Sequence, residues 1–287
     1  MSNKLFSLLT ITHNRNDHLT NLLRGAEQST RIPSEIIVVY MNQPEEINYA
    51  STIPIHSIHI DDADHSLPLA KARNKALESA AYENLVFLDV DCIPSPDMFD
   101  VLLNEQSFRS SLVMGSPRYL KPQADLQNHE LSSSYLLKQS VTHESRRHIP
   151  FGLSDRYELF WSLCFGLTKQ TYQVIGGFDE MFTGYGGEDT DFSFSARRHN
   201  VPFVISPALC FHQHHAVYKP PVQHLEDIVI NSRQFYQKWR IWSMEGWLQK
   251  FVELGFIEWS NTSEDINIVY IPTSQSVSKF EDATSPY

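Results

Sequence analysis

The sequence predicts an α/β protein with a doubly wound, mostly parallel sheet. Over residues 1–115 of the 287, short apolar runs alternate with helical patterns. This alternation is typical of parallel strands joined by helices. Polar segments follow several of these runs, at residues 12–15, 40–43 and 89–91. Ligands bind beyond the carboxyl ends of strands in such sheets, so we expect these segments to share one edge.

Each element follows from its local pattern. Apolar, β-prone runs predict strands at residues 5–12, 35–40, 55–60, 85–90 and 112–115. Between the first two, Leu19, Leu22, Leu23 and Ala26 form one apolar helical face over residues 18–28. Further helices are predicted at residues 69–82, rich in Ala and Leu, and after Pro96, since proline favours the first helical turn.

The second half of the chain continues with a strand at residues 160–167 and a short helix at 169–175 that ends at two glycines. A helix at 190–199 and an extended segment at 201–211 follow. Helices are then predicted at residues 222–239 and 244–254. We therefore expect a main domain over residues 1–220, a C-terminal helical extension over 221–272 and a disordered tail over 273–287.

Composition narrows the classes of function and the compartment. The net charge of 23 − 34 = −11 argues against a nucleic-acid partner, because such proteins normally present a basic face. Three cysteines without paired spacing argue against a disulfide framework. The first residues lack an apolar signal core, and no run reaches the roughly 18 apolar residues of a membrane span. We expect a cytoplasmic protein whose oligomeric state stays open.

Two acidic groups follow a predicted buried strand, in the segment Asp89-Val90-Asp91. Side chains alternate along an extended chain, so both carboxylates lie on the same side. Hard oxygen ligands of this kind suit Mg²⁺ or Mn²⁺, with a nucleotide diphosphate completing the coordination. The alternative is a solvated turn in which Asp91 or Ser95 caps the next helix.

A second acidic group lies in a glycine-rich loop, Gly186-Gly187-Glu188-Asp189. The glycines permit unusual backbone angles and the close approach of a ligand. A carboxylate held at the start of the following helix can accept a proton from an incoming hydroxyl. The alternative is simple acidic capping of that helix, which needs only one of the acids.

Histidines and an arginine supply further candidates. His212, His214 and His215 follow the extended segment 201–211, and one of them could complete a metal shell. In an extended chain His212 and His214 point the same way, and a structural histidine is the alternative. Arg73, in the first turns of a helix, suits a phosphate or a base carbonyl, or else a surface salt bridge.

Read together, these motifs resemble the inverting nucleotide-sugar glycosyltransferases of the GT-A fold. Residues 10–15 (TITHNR), residues 69–75 with their Ala-Arg-Asn, and the Asp89-Val90-Asp91 motif are similar to glycosyltransferase family 2. Residues 176–180 (GGFDE) and 186–189 (GGED) are similar to the galactosyltransferase-type C-terminal region. The resemblance covers residues 6–217 and divides the main domain into a nucleotide-binding half, 1–115, and an acceptor and catalytic half, 116–220.

The resemblance implies a role for each matching residue. Thr12 and Arg15 would line the nucleoside pocket, and Arg73 and Asn74 would lie near the nucleotide. Asp89 would bind the ribose and, with Asp91, the metal diphosphate, while His212 or alternatively His214 would be the other protein ligand of Mn²⁺ or Mg²⁺. Asp189 would be the general base, and Glu188 would orient the acceptor.

Three further expectations concern the ligands. This chain departs from the family after the second strand, where acidic residues usually contact the base and Asn42, which could bond to uracil, stands instead; a UDP-sugar stays the favoured donor. Trp161 and Tyr185 could stack on sugar faces beside Gly187, and residues 123–151 could order over the donor as a lid. The acceptor is a glycan, a small molecule or a lipid-linked sugar that would bring the chain to a membrane surface.

Two other functions remain as alternatives at this point. Nucleotidyl transfer to a sugar phosphate also uses strand-end carboxylates and a metal, but it would normally want a glycine-rich phosphate loop near the N-terminus. Residues 13–17 contain no glycine. A non-catalytic nucleotide-sugar binding module would leave the second acidic group without a purpose.

Overall fold

The structure is a computed structural model that describes residues 5–61, 67–105, 108–127 and 131–287. The strands are β1 (Phe6–Thr12), β2 (Glu35–Met41), β3 (Ile55–Ile60), β4 (Asn84–Leu88), β5 (Cys92–Pro94), β6 (Leu112–Leu120), β7 (Ser140–Thr142), β8 (Gly152–Ser154), β9 (Cys164–Thr168), β10 (Phe203–His212), β11 (Val217–Tyr218), β12 (Ile257–Glu258), β13 (Asn267–Ile268) and β14 (Glu281–Asp282). The α-helices are α1 (Asn16–Glu27), α2 (Leu69–Ser79), α3 (Met98–Asn104), α4 (Ser133–Lys138), α5 (Lys169–Ile175), α6 (Glu188–Arg198), α7 (Leu225–Trp239), α8 (Glu245–Glu253) and α9 (Ser274–Val277).

The central sheet has the strand order β3-β2-β1-β4-β9-β6-β10-β5, with β7 added to β6 and β8 added to β10. Strands β3, β2, β1 and β4 run parallel to one another, and β6 runs parallel to β10. Strand β9 enters antiparallel between β4 and β6. The predicted α/β class with a mostly parallel central sheet and flanking helices is confirmed.

The sheet is covered on both faces because its strands are apolar on both faces. In β1, Leu9 and Ile11 belong to one core with α2, α5 and α6, while Phe6 and Leu8 belong to the other with α1 and α3. Each fully buried aliphatic or aromatic side chain contributes about 1.5–3 kcal/mol. These two layers hold the ends of β1, β2 and β4 in fixed positions at one edge, where the polar segments begin.

Beyond the main sheet, α7, α8 and the β12–β13 pair enclose a further core. Trp242, Leu248 and Phe251 are buried in it, and Tyr185 and Trp247 pack against its margin. The aromatic side chains of this region therefore face protein. None of the described helices has the length and apolar character needed to span a bilayer.

The segment 273–287, predicted to be a disordered tail, is folded in the structure. It forms α9 and then β14, which pairs antiparallel with β11. Phe280 packs at the margin of the C-terminal core, and the Tyr287 ring lies 4.2 Å from that of His143 and 5.1 Å from that of Tyr119. The prediction failed because polar composition does not reveal how a few aromatic residues anchor a segment.

The three cysteines lie inside the central sheet. Cys92 is in β5, Cys164 in β9 and Cys210 in β10, and all three are free and buried. Burial raises the pKa of the Cys92 thiol to about 11, so it is protonated at neutral pH.

Candidate active site

The first acidic group forms a tight turn between β4 and β5. The Asp91 amide donates to Asp89 Oδ1 at 3.0 Å, and the Cys92 amide donates to the Asp89 carbonyl at 2.8 Å. Strand β5 then pairs antiparallel with the end of β10, with Cys92 opposite His212. This pairing carries Asp91 to the histidines although more than a hundred residues separate them in sequence.

Asp91, His212 and His215 form a candidate metal centre. Each offers one ligand atom, and these atoms all lie within 4.8 Å of one another. The Nδ1 atom of His212 is buried without a hydrogen-bond partner among the described residues. One carboxylate and two imidazoles suit a transition-metal ion such as Mn²⁺ better than Mg²⁺, whose ligands are normally oxygens, so of the two predicted metals the residues fit Mn²⁺ better.

Hydrogen bonds orient the members of this centre. His215 Nδ1 donates to the Ala216 carbonyl at 2.9 Å, which leaves Nε2, 3.4 Å from Asp91 Oδ2, to donate to this carboxylate when it is protonated or to bind a metal when it is not. His18 Nδ1 lies 2.5 Å from Asp91 Oδ1. Such contacts around a ligand fix its direction and tune its affinity for a metal.

The structure brings His215 to Asp91 in place of His214, which the sequence offered as the alternative to His212. The prediction assumed an extended chain through residue 214, but β10 ends at His212 and the side chains no longer alternate beyond it. The Nε2 atom of His214 is buried without a partner among the described residues and lies outside the candidate centre.

Electrostatics separate the two aspartates. Burial and the neighbouring Asp91 raise the pKa of Asp89 to about 6. For Asp91, burial also acts to raise the pKa, but the hydrogen bonds from His18 and His215 outweigh it and lower the pKa well below the usual range. Burial lowers the pKa of His212 to about 4, which keeps the imidazole neutral and able to bind a metal.

The second acidic group begins helix α6. Gly187 is its N-cap at φ +90°, a conformation that favours glycine, and no side chain caps the helix. Glu188 Oε1 accepts from Arg73 Nη1 at 3.0 Å, with both side chains buried. Asp189 Oδ1 accepts from the Thr190 amide at 2.7 Å. Glu188 thus has a partner outside the helix, whereas Asp189 satisfies one first-turn amide of α6 and leaves its Oδ2 atom for another partner.

Asp189 has the environment of a base. Burial, followed by the charge of Glu188, raises its pKa to about 6, while Arg73 acts in the opposite direction. Its contacts with the Thr190 amide and hydroxyl both fall on Oδ1. A carboxylate of this kind is ionised at neutral pH and is a stronger proton acceptor than an exposed aspartate.

Arg73 lies between the two acidic groups. Its positive charge lowers the pKa of both Asp89 and Asp189, and Nη2 donates to Ser162 Oγ at 2.9 Å. Tyr185 reports the same convergence, since burial and then the charges of Glu188, Asp189 and Asp89 raise the pKa of its phenol to about 12. The two acidic groups therefore share one site.

The structure gives Arg73 and Asn74 different partners from the predicted nucleotide. Arg73 is in a buried ion pair with Glu188, close in kind to the salt bridge held open as its alternative. Asn74 accepts from the Phe178 amide at 3.0 Å and from the Tyr172 hydroxyl, and it donates to the Phe178 carbonyl and to Glu180. Asn74 thus fixes the turn after Gly177.

Helix α7 holds the second acidic loop through residues that the sequence analysis missed. Asn231 Nδ2 donates to the carbonyls of Thr183 at 2.9 Å and Gly186 at 2.8 Å. Asp227 Oδ2 accepts from the Tyr185 amide at 3.2 Å. Gly184 is required there, because a Cβ atom at this position would come within 2.4 Å of the Asp227 carboxyl group.

The same helix also fixes the start of α6. Lys238 Nζ bonds to Asp179 at 2.8 Å and to Asp191 at 2.9 Å, and Trp239 Nε1 donates to Asp191 Oδ1 at 2.7 Å. The positions 227, 231 and 238 share one helical face, and this spacing is the signal that could have drawn attention to them.

Trp161 and Tyr185, the aromatic residues predicted to contact the acceptor, both pack against other side chains of the protein. Tyr185 stacks with His224 at 4.4 Å and with Trp247 at 5.7 Å. The Arg146 guanidinium lies over the Trp161 ring at 3.6 Å. Stacking of a sugar on Tyr185 or Trp161 stays a prediction, and these contacts limit the ring area left for it.

With this geometry in place, comparison with known proteins is informative. A model of glycosyltransferase like family 2 matches residues 11–235, which is most of the chain. The chain belongs to this family. The predicted family 2 resemblance is thereby confirmed.

The match with curated relatives covers only part of each relative's length. The chain is 24% identical to validoxylamine A glucosyltransferase of Streptomyces hygroscopicus subsp. limoneus, over 70% of this chain and 50% of that protein. It is 25% identical to hyaluronan synthase of Pasteurella multocida, over 72% of this chain and 24% of that protein. The chain spans half or less of the length of these relatives.

Solved structures show the fold of this family 2 chain. GalNAc-T7 with UDP, GalNAc and Mn²⁺ is similar with a TM-score of 0.54 at 11% identity, covering 74% of this chain and 43% of that one. TarS 1–349 of S. aureus is similar with a TM-score of 0.50 at 15% identity, covering 81% of this chain and 65% of that one. The GT-A fold expected from the sequence is confirmed.

In this family 2 chain, the expected nucleoside residues lie at the carboxyl ends of β1 and β2. Thr12 ends β1 and pairs with Tyr40, and its hydroxyl is buried without a partner among the described residues. Arg15 Nε is 3.7 Å from Asp91 Oδ1, which links this edge to the metal centre. Asn42 follows β2 at φ +48°, and its amide donates to the Ile60 carbonyl.

Proposed function

We propose that the chain is a metal-dependent, inverting glycosyltransferase that moves a sugar from a nucleotide-sugar donor to a hydroxyl group of an acceptor. The observation that carries this proposal is that Arg73, ion-paired with Glu188 next to the basic Asp189, also acts on Asp89, in the same turn as Asp91 of the candidate metal centre. Family membership supports sugar transfer, and the likeness to GalNAc-T7 with UDP, GalNAc and Mn²⁺ supports this donor and metal.

The proposed roles follow from position. Asp91, His212 and His215 would hold Mn²⁺ or Mg²⁺, and Asp89 would bind the ribose. The bound metal would act as a Lewis acid toward the leaving diphosphate. Thr12, Arg15 and Asn42 would bind the nucleoside, with UDP favoured because an amide side chain can pair with uracil. The transferred sugar would lie between the metal centre and Asp189.

The chemistry is a single displacement. Asp189 accepts the proton of the acceptor hydroxyl as its oxygen bonds to the anomeric carbon. The bond from that carbon to the diphosphate oxygen breaks on the opposite face, so the configuration inverts and a nucleoside diphosphate leaves. Base catalysis of this kind contributes about 10²–10⁴-fold.

Acceptor recognition centres on the second acidic loop. Glu188, held by Arg73, would orient the acceptor, Gly187 would let it approach closely, and Trp161 would line its path. We further propose that residues 176–189 are a galactosyltransferase-type region, that residues 1–220 act as one unit with residues 221–272 as an extension, and that the acceptor is a glycan, a lipid-linked sugar or a small molecule.

The direct test is a thermal-shift screen of nucleotide sugars with and without Mn²⁺, followed by product analysis. Specific ligands stabilise a fold by mass action, so the correct donor should raise the melting temperature, and more so with Mn²⁺. Turnover should release a nucleoside diphosphate, and Asp189→Asn should abolish turnover while it keeps nucleotide affinity.

Three results would contradict the proposal. Release of pyrophosphate would indicate nucleotidyl transfer instead. Binding without turnover across a broad acceptor panel would indicate a binding module. Full turnover by the Asp189→Asn variant would remove Asp189 as the base.

A further inference from the structure

Arg146 lies in the segment that the sequence suggested as a lid. It ends a short 3₁₀ turn, Glu144–Arg146, whose cap is His143. The carbon of its guanidinium lies 3.6 Å from the centre of the Trp161 ring. At this distance the aromatic face orients the guanidinium and leaves its edge, where the N–H groups lie, for other partners.

Arg146 has no anionic partner within the part of the chain that the structure describes. Its Nη1 atom is buried and without a hydrogen bond, and no ion pair involves this side chain. Burial lowers its pKa to about 10, so it still carries its charge at neutral pH. A buried guanidinium with unsatisfied donors is costly, and proteins normally pair it with a carboxylate or a phosphate.

The other arginines near the site are already engaged. Arg73 pairs with Glu188 at 3.0 Å, and Arg118 donates to Ser140 and Thr142. Arg15 lies 3.7 Å from Asp91. Arg146 differs from these three in having a buried Nη1 atom without an acceptor among the described residues.

Its position connects both ends of the site. The Trp161 ring under Arg146 is 5.2 Å from the His143 ring, which is 5.7 Å from the Tyr119 ring. The Tyr119 ring is in turn 5.0 Å from the ring of His212. These ring contacts join Arg146 to the metal centre, and the charge of Asp189 acts on Arg146 to favour its charged form.

We propose that Arg146 is a substrate-binding residue that recognises an anionic group of the donor, either its diphosphate or a carboxylate on the transferred sugar. The inference rests on the proposed function. A planar guanidinium can donate two parallel hydrogen bonds to either group, and this geometry is what distinguishes it from a lysine. The bound anion would satisfy the buried N–H donors.

The experiment compares Arg146→Gln and Arg146→Lys with Arg147→Gln, a control at the exposed neighbouring position. Isothermal titration in Mn²⁺ measures the affinity for the diphosphates of uridine, thymidine, guanosine, adenosine and cytidine. A second comparison uses UDP-glucose and UDP-glucuronate, since the hydroxymethyl group of the first is replaced by a carboxylate in the second.

The two sources of the anion give different results. If Arg146 binds the diphosphate, Arg146→Gln should weaken the binding of the nucleoside diphosphates and of both sugar nucleotides by the same factor, about tenfold or more. If it binds a sugar carboxylate, the wild type should prefer UDP-glucuronate by about tenfold, and Arg146→Gln should lose that preference while UDP affinity stays unchanged. Arg146→Lys should fall between, and Arg147→Gln should match the wild type.

A purely structural Arg146 would behave otherwise. Its loss would lower the melting temperature and leave every nucleotide affinity unchanged, and this outcome overturns the inference. The substrate-binding role expects an unchanged or higher melting temperature for Arg146→Gln without ligand, because an unpaired buried charge is removed. If no diphosphate or sugar nucleotide binds the wild type in Mn²⁺, the proposed function itself fails and this inference fails with it.

Discussion

At the scale of single residues, the site depends on placing like charges close together inside the protein. Asp89, Glu188 and Asp189 converge on Arg73, and this one cation has its hydrogen bonds to Glu188 and Ser162. Burial, and then the neighbouring carboxylate in each case, raises the pKa of Asp89 and of Asp189, and the Arg73 charge only partly offsets this. A chain with less repulsion at this place would be more stable and would have a weaker base, which is the usual conflict between stability and activity.

The raised pKa of Asp189 predicts how the rate depends on pH. Protonation removes the base, so kcat/KM should fall as pH decreases through about 6 and level off above it. The measurement is a pH–rate profile at saturating metal.

A control is needed because Asp89 titrates in the same range, with a pKa of about 6. The low-pH limb should vanish from the residual rate of Asp189→Asn and persist in Asp89→Asn. A limb that persists in Asp189→Asn would assign it to another group.

The pair His215 and His214 allows a matched test of the candidate metal centre. His215→Ala should weaken Mn²⁺ binding by about tenfold or more, since even groups that only orient ligands matter to that extent. His214→Ala should leave Mn²⁺ affinity unchanged, because its imidazole is outside the centre. Electron paramagnetic resonance of free Mn²⁺ gives both affinities without an activity assay, and the reverse pattern would restore His214 as the ligand.

At the scale of elements, helix α7 acts on the acidic loop from outside the main sheet. Asn231 and Asp227 bond to the loop backbone at Thr183, Tyr185 and Gly186. The position of Asp189 is therefore set in part by the C-terminal extension.

Removal of the Asn231 amide should loosen this loop. Asn231→Ala leaves two carbonyls without their donor and should cost about 1–3 kcal/mol in unfolding free energy. We expect kcat to fall while affinity for the nucleoside diphosphate stays unchanged, because the loop bears the base and not the nucleotide site. Gln237→Ala, at an exposed position of the same helix, is the control. Equal losses in kcat and nucleotide affinity would indicate general unfolding instead.

The elements also show which parts of the site a sequence can reveal. Asp89, Asp91, Glu188 and Asp189 were predicted because strand ends and glycine pairs are local patterns. His18 bonds to Asp91 across 73 residues and Asn231 to Gly186 across 45, and no local pattern encodes either contact. His215 was named among the candidate ligands but His214 was preferred, because the turn after β10, which changes the direction of the side chains, has no local signal. The ring contacts of Tyr185 with His224 and Trp247 are likewise distant in sequence.

At the scale of the whole molecule, the last segment returns to the site. Strand β14 pairs with β11, the strand that follows His215 in sequence. The Glu144 amide donates to the Tyr287 hydroxyl at 3.2 Å. Tyr287 thus supports the 3₁₀ turn that carries Arg146. The segments around residues 144 and 287 are therefore in contact at one wall of the site.

Tyr287→Ala should release this wall. The Glu144 amide loses its acceptor and the His143 ring loses its neighbour, so hydrogen exchange over residues 141–146 should accelerate by about tenfold, equivalent to about 1.4 kcal/mol of local stability. Mass spectrometry of exchanged peptides measures this. Tyr270→Ala is the control, since that side chain is 46% exposed and lies elsewhere. Unchanged exchange in Tyr287→Ala would show that the turn is held without it.

The burial of all three thiols has a practical consequence for optical experiments. Maleimide dyes react with exposed thiolates, and Cys92, Cys164 and Cys210 are buried with raised pKa values. Cysteines introduced by Arg147→Cys and Gln237→Cys would therefore take a dye pair in an otherwise native background. Energy transfer between the two dyes would then follow the wall that carries Arg146 relative to helix α7 as nucleotides are added.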